Sequence, residues 1–185
     1  MDKSVFKFIV LICLLLFSGL IKASDSSCRP QGIYVVRHVE KQLIPPQKDP
    51  PLSKLGFKHA QALAQKLKNI HFDHIFSSQF KRTQLTVAPL ANLQNREIEI
   101  YSATETKKLA QNILKGCHQN ILIAGHSNTV PDFLSHLGLK MKATIGGQAL
   151  NYSPQIYLNE KLDYGSLFIV TFTKQDQPKL NIQSF

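Results

Sequence analysis

Long hydrophobic runs are scarce in this sequence, and that scarcity limits what it can be. The one extended apolar run, Phe8 to Leu20, covers thirteen residues, short of the roughly 20 that a membrane-spanning helix needs. Lys3 and Lys7 precede it, and Ile21-Lys22-Ala23 follows with a small residue where cleavage is expected. The pattern reads as a secretory signal peptide over residues 1–23; a single membrane anchor is the alternative. Cysteine is also rare, with three in the chain, and Asp25-Ser26-Ser27 before Cys28 lacks the apolar residue of a lipid-attachment signal. No internal repeat or low-complexity tract is visible, so solenoids and disordered arrays are excluded. Acidic residues are few, 12 against 22 Lys and Arg, and they form no cluster suited to a metal ion. Arginine is scarcer still, four residues against 18 lysines. Lysine is the ordinary solvated surface cation, whereas the guanidinium fork grips phosphate oxygens in pairs.

What remains after removal of residues 1–23 is one domain, 24–185, large enough for a single core. It keeps 19 Lys and Arg against 11 Asp and Glu, a charge near +8. Such an excess favours anionic partners in general and alone selects none of them. Ile33-Tyr34-Val35-Val36 reads as a buried strand, and the proline-rich stretch from Ile44 to Pro51 as an exposed loop. Ser53 caps a helix in which Ala60, Leu63, Ala64 and Leu67 recur at helical spacing. His74-Ile75-Phe76 gives a second strand, followed by a helix from about Arg82 to Asn92 that Pro89 is expected to kink or divide. Glu97 to Tyr101 is a third strand, Glu105 to Leu114 a basic amphipathic helix, and Ile121 to Ala124 a fourth strand. A short helix carries Phe133, Leu134 and Leu137. Two strands, Leu167 to Phe172 and Lys179 to Gln183, close the chain. This alternation predicts an α/β three-layer sandwich, with a mostly parallel central sheet, an antiparallel edge and helices on both faces. Ligands in such sheets bind beyond the carboxyl ends of the strands. Arg37-His38 follows the first strand and Gly125-His126 the fourth, so both histidines are expected in one crevice.

Arg37-His38-Val39-Glu40, Ser78 with Arg82-Thr83, and Gly125-His126-Ser127-Asn128 each stand at a strand-to-helix turn. Together with Asp49-Pro50-Pro51-Leu52-Ser53-x-x-Gly56 and Tyr164-Gly165-x-Leu167-Phe168, they resemble the phosphoglycerate-mutase-like histidine phosphatase superfamily across nearly all of residues 24–185. The resemblance implies that His38 attacks phosphorus as a neutral imidazole and that water releases the phosphohistidine. It implies further that Arg37, Arg82 and His126 surround the phosphoryl oxygens, where neutralising charge is the main catalytic task, so that no metal and no cofactor are expected. The carry-over stops at the general acid. Glu105 lies in the region where mutase-like relatives keep a glutamate, but its surroundings do not match. The acid phosphatase branch has an aspartate after the second histidine, and here that residue is Ser127. Glu40 and Asp132 are the other candidates, although Glu40 can equally hold Arg37 or Lys41. His59, His71, His74, His118 and His136 match no motif and read as surface or packing residues, and Lys107-Lys108 as a solvated helix face.

A mutase needs cap insertions to hold its substrate away from water, and this chain has little beyond a minimal core. The expected activity is therefore an exported, secreted or periplasmic phosphatase acting on a small phosphomonoester, with no nucleic-acid partner and no stable membrane span after cleavage. A protein-phosphohistidine phosphatase and a non-catalytic envelope protein that binds a phosphorylated glycan or lipid head group stay open. Cys13 leaves with the signal peptide, and an exported chain meets oxidising conditions. Cys28 precedes His38 by ten residues and Cys117 precedes His126 by nine. If the histidines end neighbouring parallel strands, both cysteines fall together at the opposite end, where a disulfide between Cys28 and Cys117 is expected. Two free thiols are the alternative.

Overall fold

The computed structural model describes residues 28–139, 143–145, 148–150 and 164–185, so the expected signal peptide lies outside the described residues. The elements alternate in chain order. Strand β1 (Gly32–Arg37) leads to helix α1 (Lys54–Leu67), β2 (His74–Ser78), α2 (Lys81–Leu93), β3 (Ile98–Tyr101) and α3 (Thr106–Ile113). They are followed by β4 (Asn120–Gly125), α4 (Thr129–His136), a small hairpin β5 (Ala143–Ile145) and β6 (Gln148–Leu150), then β7 (Ser166–Phe172) and β8 (Pro178–Ser184). Six strands form one sheet in the order β3-β2-β4-β1-β7-β8. The first four run parallel, and β7 and β8 add an antiparallel edge. The architecture is the expected α/β sandwich, and β1 and β4 are neighbours, paired from Gly32↔Asn120 to Arg37↔Gly125.

Alternation along the strands divides the core into two layers, because successive side chains point to opposite faces. Ile33, Val35, Ile121 and Ile123 pack on one face against α3 and α4, through Leu109, Ile113, Phe133 and Leu134. Val36, Leu122 and Ala124 pack on the other against α1 and α2, through Leu63, Leu67, Val87 and Leu90. Strands buried on both faces are what an uninterrupted β-branched and apolar run requires.

Two local expectations meet different outcomes. Ser53 caps α1 as expected, its Oγ accepting from Gly56 N at 3.1 Å. Pro89, in contrast, neither divides nor ends its helix, since α2 continues through it from Lys81 to Leu93. Proline removes one backbone donor, but Thr86, Val87, Leu90 and Ala91 on either side of it are buried. That packing holds the turn against the local preference.

Gly56 joins the fold to the site. A Cβ there would meet the Glu40 carbonyl oxygen at 2.1 Å, so α1 can lie against the turn after His38 only with glycine at this position. The same carbonyl accepts from Ser53 N at 2.8 Å.

At the other end of the sheet Cys28 and Cys117 form a disulfide, with Cα atoms 5.0 Å apart. The backbone beside it is tied as well, with His118 N donating to Arg29 O and Gln31 N to Gln119 O, both at 2.9 Å. The bridge spans a sequence separation of 89 residues, a closure worth up to roughly 4–5 kcal/mol in the chain-entropy picture. Reduction and alkylation are therefore expected to lower the urea midpoint markedly while leaving the folded circular dichroism spectrum unchanged. An unchanged midpoint would show that the bridge adds nothing to stability.

Candidate active site

The β1–β4 pairing continues one residue beyond β1, as His38 N donates to Gly125 O at 2.9 Å. That bond sets the two histidines side by side, with ring centroids 5.4 Å apart. His38 is 4 % exposed and Arg37 2 %. His38 Nδ1 lies 2.8 Å from Val39 O. A carbonyl only accepts, so the proton sits on Nδ1 and the lone pair on Nε2. Val39 N in turn donates to Thr86 Oγ1 of α2 at 3.2 Å, which holds the turn in place.

Arg82 enters from the first turn of α2. Its Nη1 is 3.4 Å from Asp49 Oδ1 and its Nη2 is 3.4 Å from His126 Nδ1. The guanidinium carbon lies 4.6 Å from the centroid of the Phe80 ring. Arg82 Nε is buried and has no hydrogen-bond partner among the described residues. Asp49 also accepts from Lys81 N, at 3.1 and 3.2 Å. The α2 N-cap residue, Phe80, has no side-chain acceptor, so Asp49 caps the helix from a distant loop and anchors Arg82 at once. Arg37 places its guanidinium carbon 4.3 Å from the Tyr164 ring centroid, with Nη2 donating to the Tyr164 hydroxyl at 3.4 Å. The Phe80 ring meets His126 edge-on at 5.0 Å.

These groups open on a cavity of about 360 Å3, lined by Arg37, His38, Lys41, Arg82 and His126, with Ser127 and Asn128 from the turn before α4. The wall is cationic, and among the described lining residues none is Asp or Glu. None of the three candidate acids is among the described residues that line the cavity. Glu40 Oε2 is 2.8 Å from His59 Nδ1. Glu105 is exposed and paired with Lys108 at 3.5 Å. Asp132 accepts from Thr106 Oγ1 and lies 3.6 Å from His136 Nε2. The other motif-free histidines lie off the cavity wall; His74 pairs with Glu99 at 2.6 Å and His71 with Arg96 at 2.8 Å.

Burial, aided by His126, Arg37 and Arg82, lowers the His38 pKa to about 3, against the opposing bond to Val39 O. Burial, followed by Arg82 and Arg37, lowers that of His126 to about 4, while Asp49 acts the other way. Both rings are neutral near pH 7.

Residues 33–106 match the histidine phosphatase superfamily (branch 1). Phosphoserine phosphatase 1 of Hydrogenobacter thermophilus is 41 % identical over 71 residues, which cover 36 % of this chain and 34 % of the relative. The chain thus spans about a third of the length of the curated relatives it matches. Among solved structures, SixA of Agrobacterium tumefaciens aligns with a TM-score of 0.58 at 18 % identity, over 84 % of this chain and 99 % of that one. Phosphoserine phosphatase of Entamoeba histolytica gives 0.53 at 17 %, over 83 % and 97 %. These structural likenesses carry the fold.

Depressed histidines leave a signature. The unfolded chain binds protons near pH 6.5 that the native rings refuse until about 3 and 4. The stability they leave intact is complete above about 6.5 and declines as the pH falls through that window. In the folded protein the ring resonances of His38 and His126 should stay fixed from about pH 8 to about 5. A midpoint near 6.5 for either ring, followed by nuclear magnetic resonance, would overturn the account of their burial.

Proposed function

We propose that this chain is an exported histidine-dependent phosphatase that hydrolyses a small phosphomonoester through a phosphohistidine at His38. One observation carries the reading. The Nδ1 proton of His38 is committed to Val39 O at 2.8 Å, which leaves a lone pair on Nε2 in a cavity walled by two guanidinium groups. Burial keeps that ring unprotonated, the state a nucleophile needs.

The chemistry follows from the positions. Nε2 attacks phosphorus, the bond to the ester oxygen breaks, and its electron pair leaves on the alkoxide, which takes up a proton. Arg37, Arg82 and His126 meet the equatorial oxygens as charge spreads over them. Water then attacks the phosphohistidine, phosphate departs, and the electron pair returns to Nε2. Arg82 Nε, buried without a partner among the described residues, is a donor that an oxyanion would satisfy. Lys41 adds a third cation to the wall, which suits an ester bearing a further negative group. Export is supported by the run from Phe8 to Leu20 ahead of Ala23 and by the Cys28–Cys117 bridge, since such bonds persist in oxidising compartments. The reading favours release of free phosphate over mutase transfer and over passive binding, because a pure binder has no use for an unprotonated nucleophile.

Alkaline-quench labelling with an aryl phosphate, whose leaving group needs little protonation, tests the central claim. The wild type is expected to yield an acid-labile, alkali-stable phosphoenzyme, and His38→Ala to yield none while keeping its fold. Turnover by the folded variant within about tenfold of wild type would remove His38 as the nucleophile. Arg82→Lys replaces a fork with a point charge and is expected to weaken transition-state stabilisation by about 2–4 kcal/mol, the scale for losing an oxyanion donor. A kcat/KM equal to that of wild type would show that Arg82 does not touch the phosphoryl group.

A further inference from the structure

Behind His126 lies a row of buried hydroxyls that the scheme above does not use. His126 Nε2 is 2.8 Å from Ser78 Oγ at the end of β2, and Ser78 Oγ is 2.7 Å from Thr83 Oγ1 in the first turn of α2. Thr83 Oγ1 is 2.7 Å from Phe80 O and 3.1 Å from Ser78 O. Ser78 and Thr83 are both 0 % exposed.

Counting protons gives this row a direction. A hydroxyl has one proton to donate and a carbonyl has none. The Thr83 proton is held by the carbonyls of Phe80 and Ser78, so Thr83 can only accept from Ser78. Ser78 spends its proton on Thr83 and can only accept from His126. His126 therefore donates through Nε2, and its neutral ring keeps a lone pair on Nδ1. Arg82 Nη2, which can only donate, lies 3.4 Å from that same Nδ1 and agrees with the assignment from the opposite side. The backbone fixes the ring further, with His126 N donating to Thr129 Oγ1 at 2.8 Å.

We propose that Ser78 and Thr83 are positioning residues that lock neutral His126 with its proton on Nε2, so that a phosphoryl group binds only together with a proton at Nδ1. An incoming dianion otherwise faces a lone pair at that nitrogen. The proton arrives either on the ester's own monoanion or from solvent, and it becomes the donor that His126 offers to the phosphoryl oxygen. The groups that act on this ring are Arg37, His38 and Lys41 from β1 and the turn after it, Arg82 from α2 and Asp49 from the loop before α1. Tyr101 of β3, its hydroxyl donating to Ala124 O at 3.2 Å, lies behind Gly125. Asp49 alone among them favours the protonated ring, and an anion in the cavity joins it.

The catalytic meaning of the lock rests on the phosphatase reading, but the tautomer does not, so the two fail separately. Histidine-15N-labelled protein, observed at neutral pH with and without sulfate, reads the tautomer directly. Sulfate is a dianion that does not titrate in this range. The expected wild-type spectrum shows His126 protonated at Nε2 alone, with Nδ1 gaining a proton as sulfate saturates. Thr83→Val keeps the shape and removes the acceptor for Ser78, whose proton then turns to His126; an Nδ1-protonated neutral form is expected. Thr83→Ser restores the hydroxyl and the wild-type pattern. In Thr83→Val, kcat for an aryl phosphate is expected to fall roughly tenfold or more with a smaller change in KM, as when a catalytic histidine is held in the wrong tautomer. Nδ1-protonated neutral His126 in the wild type overturns the proposal, as does a folded Thr83→Val with an unaltered spectrum. If Thr83→Val does not fold, Ser78→Ala serves in its place, and the wild-type spectrum alone remains decisive. A missing phosphoenzyme with the expected tautomer would defeat the phosphatase reading and leave the lock standing.

Discussion

Everything in this molecule that bears on function depends on the parallel pairing of β1 with β4. One ladder, in register from Gly32↔Asn120 to Arg37↔Gly125, ends on two histidines and begins beside two cysteines. Extending it by the bond from His38 N to Gly125 O brings the rings together without any loop having to fold back. A slip of one residue would turn Ile33, Val35, Ile121 and Ile123 out of their layer, so the register of the site is enforced by the whole apolar core. The disulfide at the far end ties the same two strands. Site and staple are the two ends of one constraint.

Burial then sets the electrostatics. Arg37 is nearly inaccessible, and a desolvated guanidinium needs compensation. Tyr164 supplies a ring face and an oxygen, while Asp49 supplies a carboxylate to Arg82. With the cations held in place, protonating either histidine would add charge beside Arg37 and Arg82, and both rings stay neutral. A wall carrying Arg37, Lys41 and Arg82, with no Asp or Glu among its described lining residues, suits an oxyanion, and under the proposed function the burial that keeps His38 unprotonated also fits it to attack that group. Low dielectric amplifies both effects together.

Much of this was legible in the sequence because it is written in local signals. The β-branched runs at Ile33 and Ile121, the cap at Ser53 and the placement of Arg37-His38 and Gly125-His126 after strands required only periodicity and the rule about strand ends. The cysteine offsets carried the disulfide because parallel strands share one rise per residue. What escaped was tertiary. Pro89 was expected to kink or divide its helix, and the packing of Val87 and Leu90 beside it, around which α2 runs unbroken, is invisible along the chain. Asp49 gave no sign of capping a helix 32 residues further on. The hairpin of β5 and β6 was missed, although the Gly146-Gly147 dipeptide between short segments is a turn signal. Glu40 and Asp132 were candidates by nearness in sequence and Glu105 by the resemblance, but adjacency does not fix direction: the side chain two residues after His38 turns to His59.

Ser78 and Thr83 show how structure and chemistry share residues. Thr83 closes the first turn of α2 by donating to Phe80 O, an ordinary local bond that favours a hydroxyl near a helix start. Because that bond uses the only proton Thr83 has, it also fixes the proton of Ser78 and, through it, that of His126. A helix-start preference is thereby carried, over two hydrogen bonds, to a ring that lines the cavity. Asp49 works the same way from the other side, capping α2 while holding Arg82. The first turn of α2 is thus both the end of a scaffold helix and a wall of the site. Loosening it for the sake of one role would loosen the other, which is why cavity geometry and fold stability are not separable at this turn.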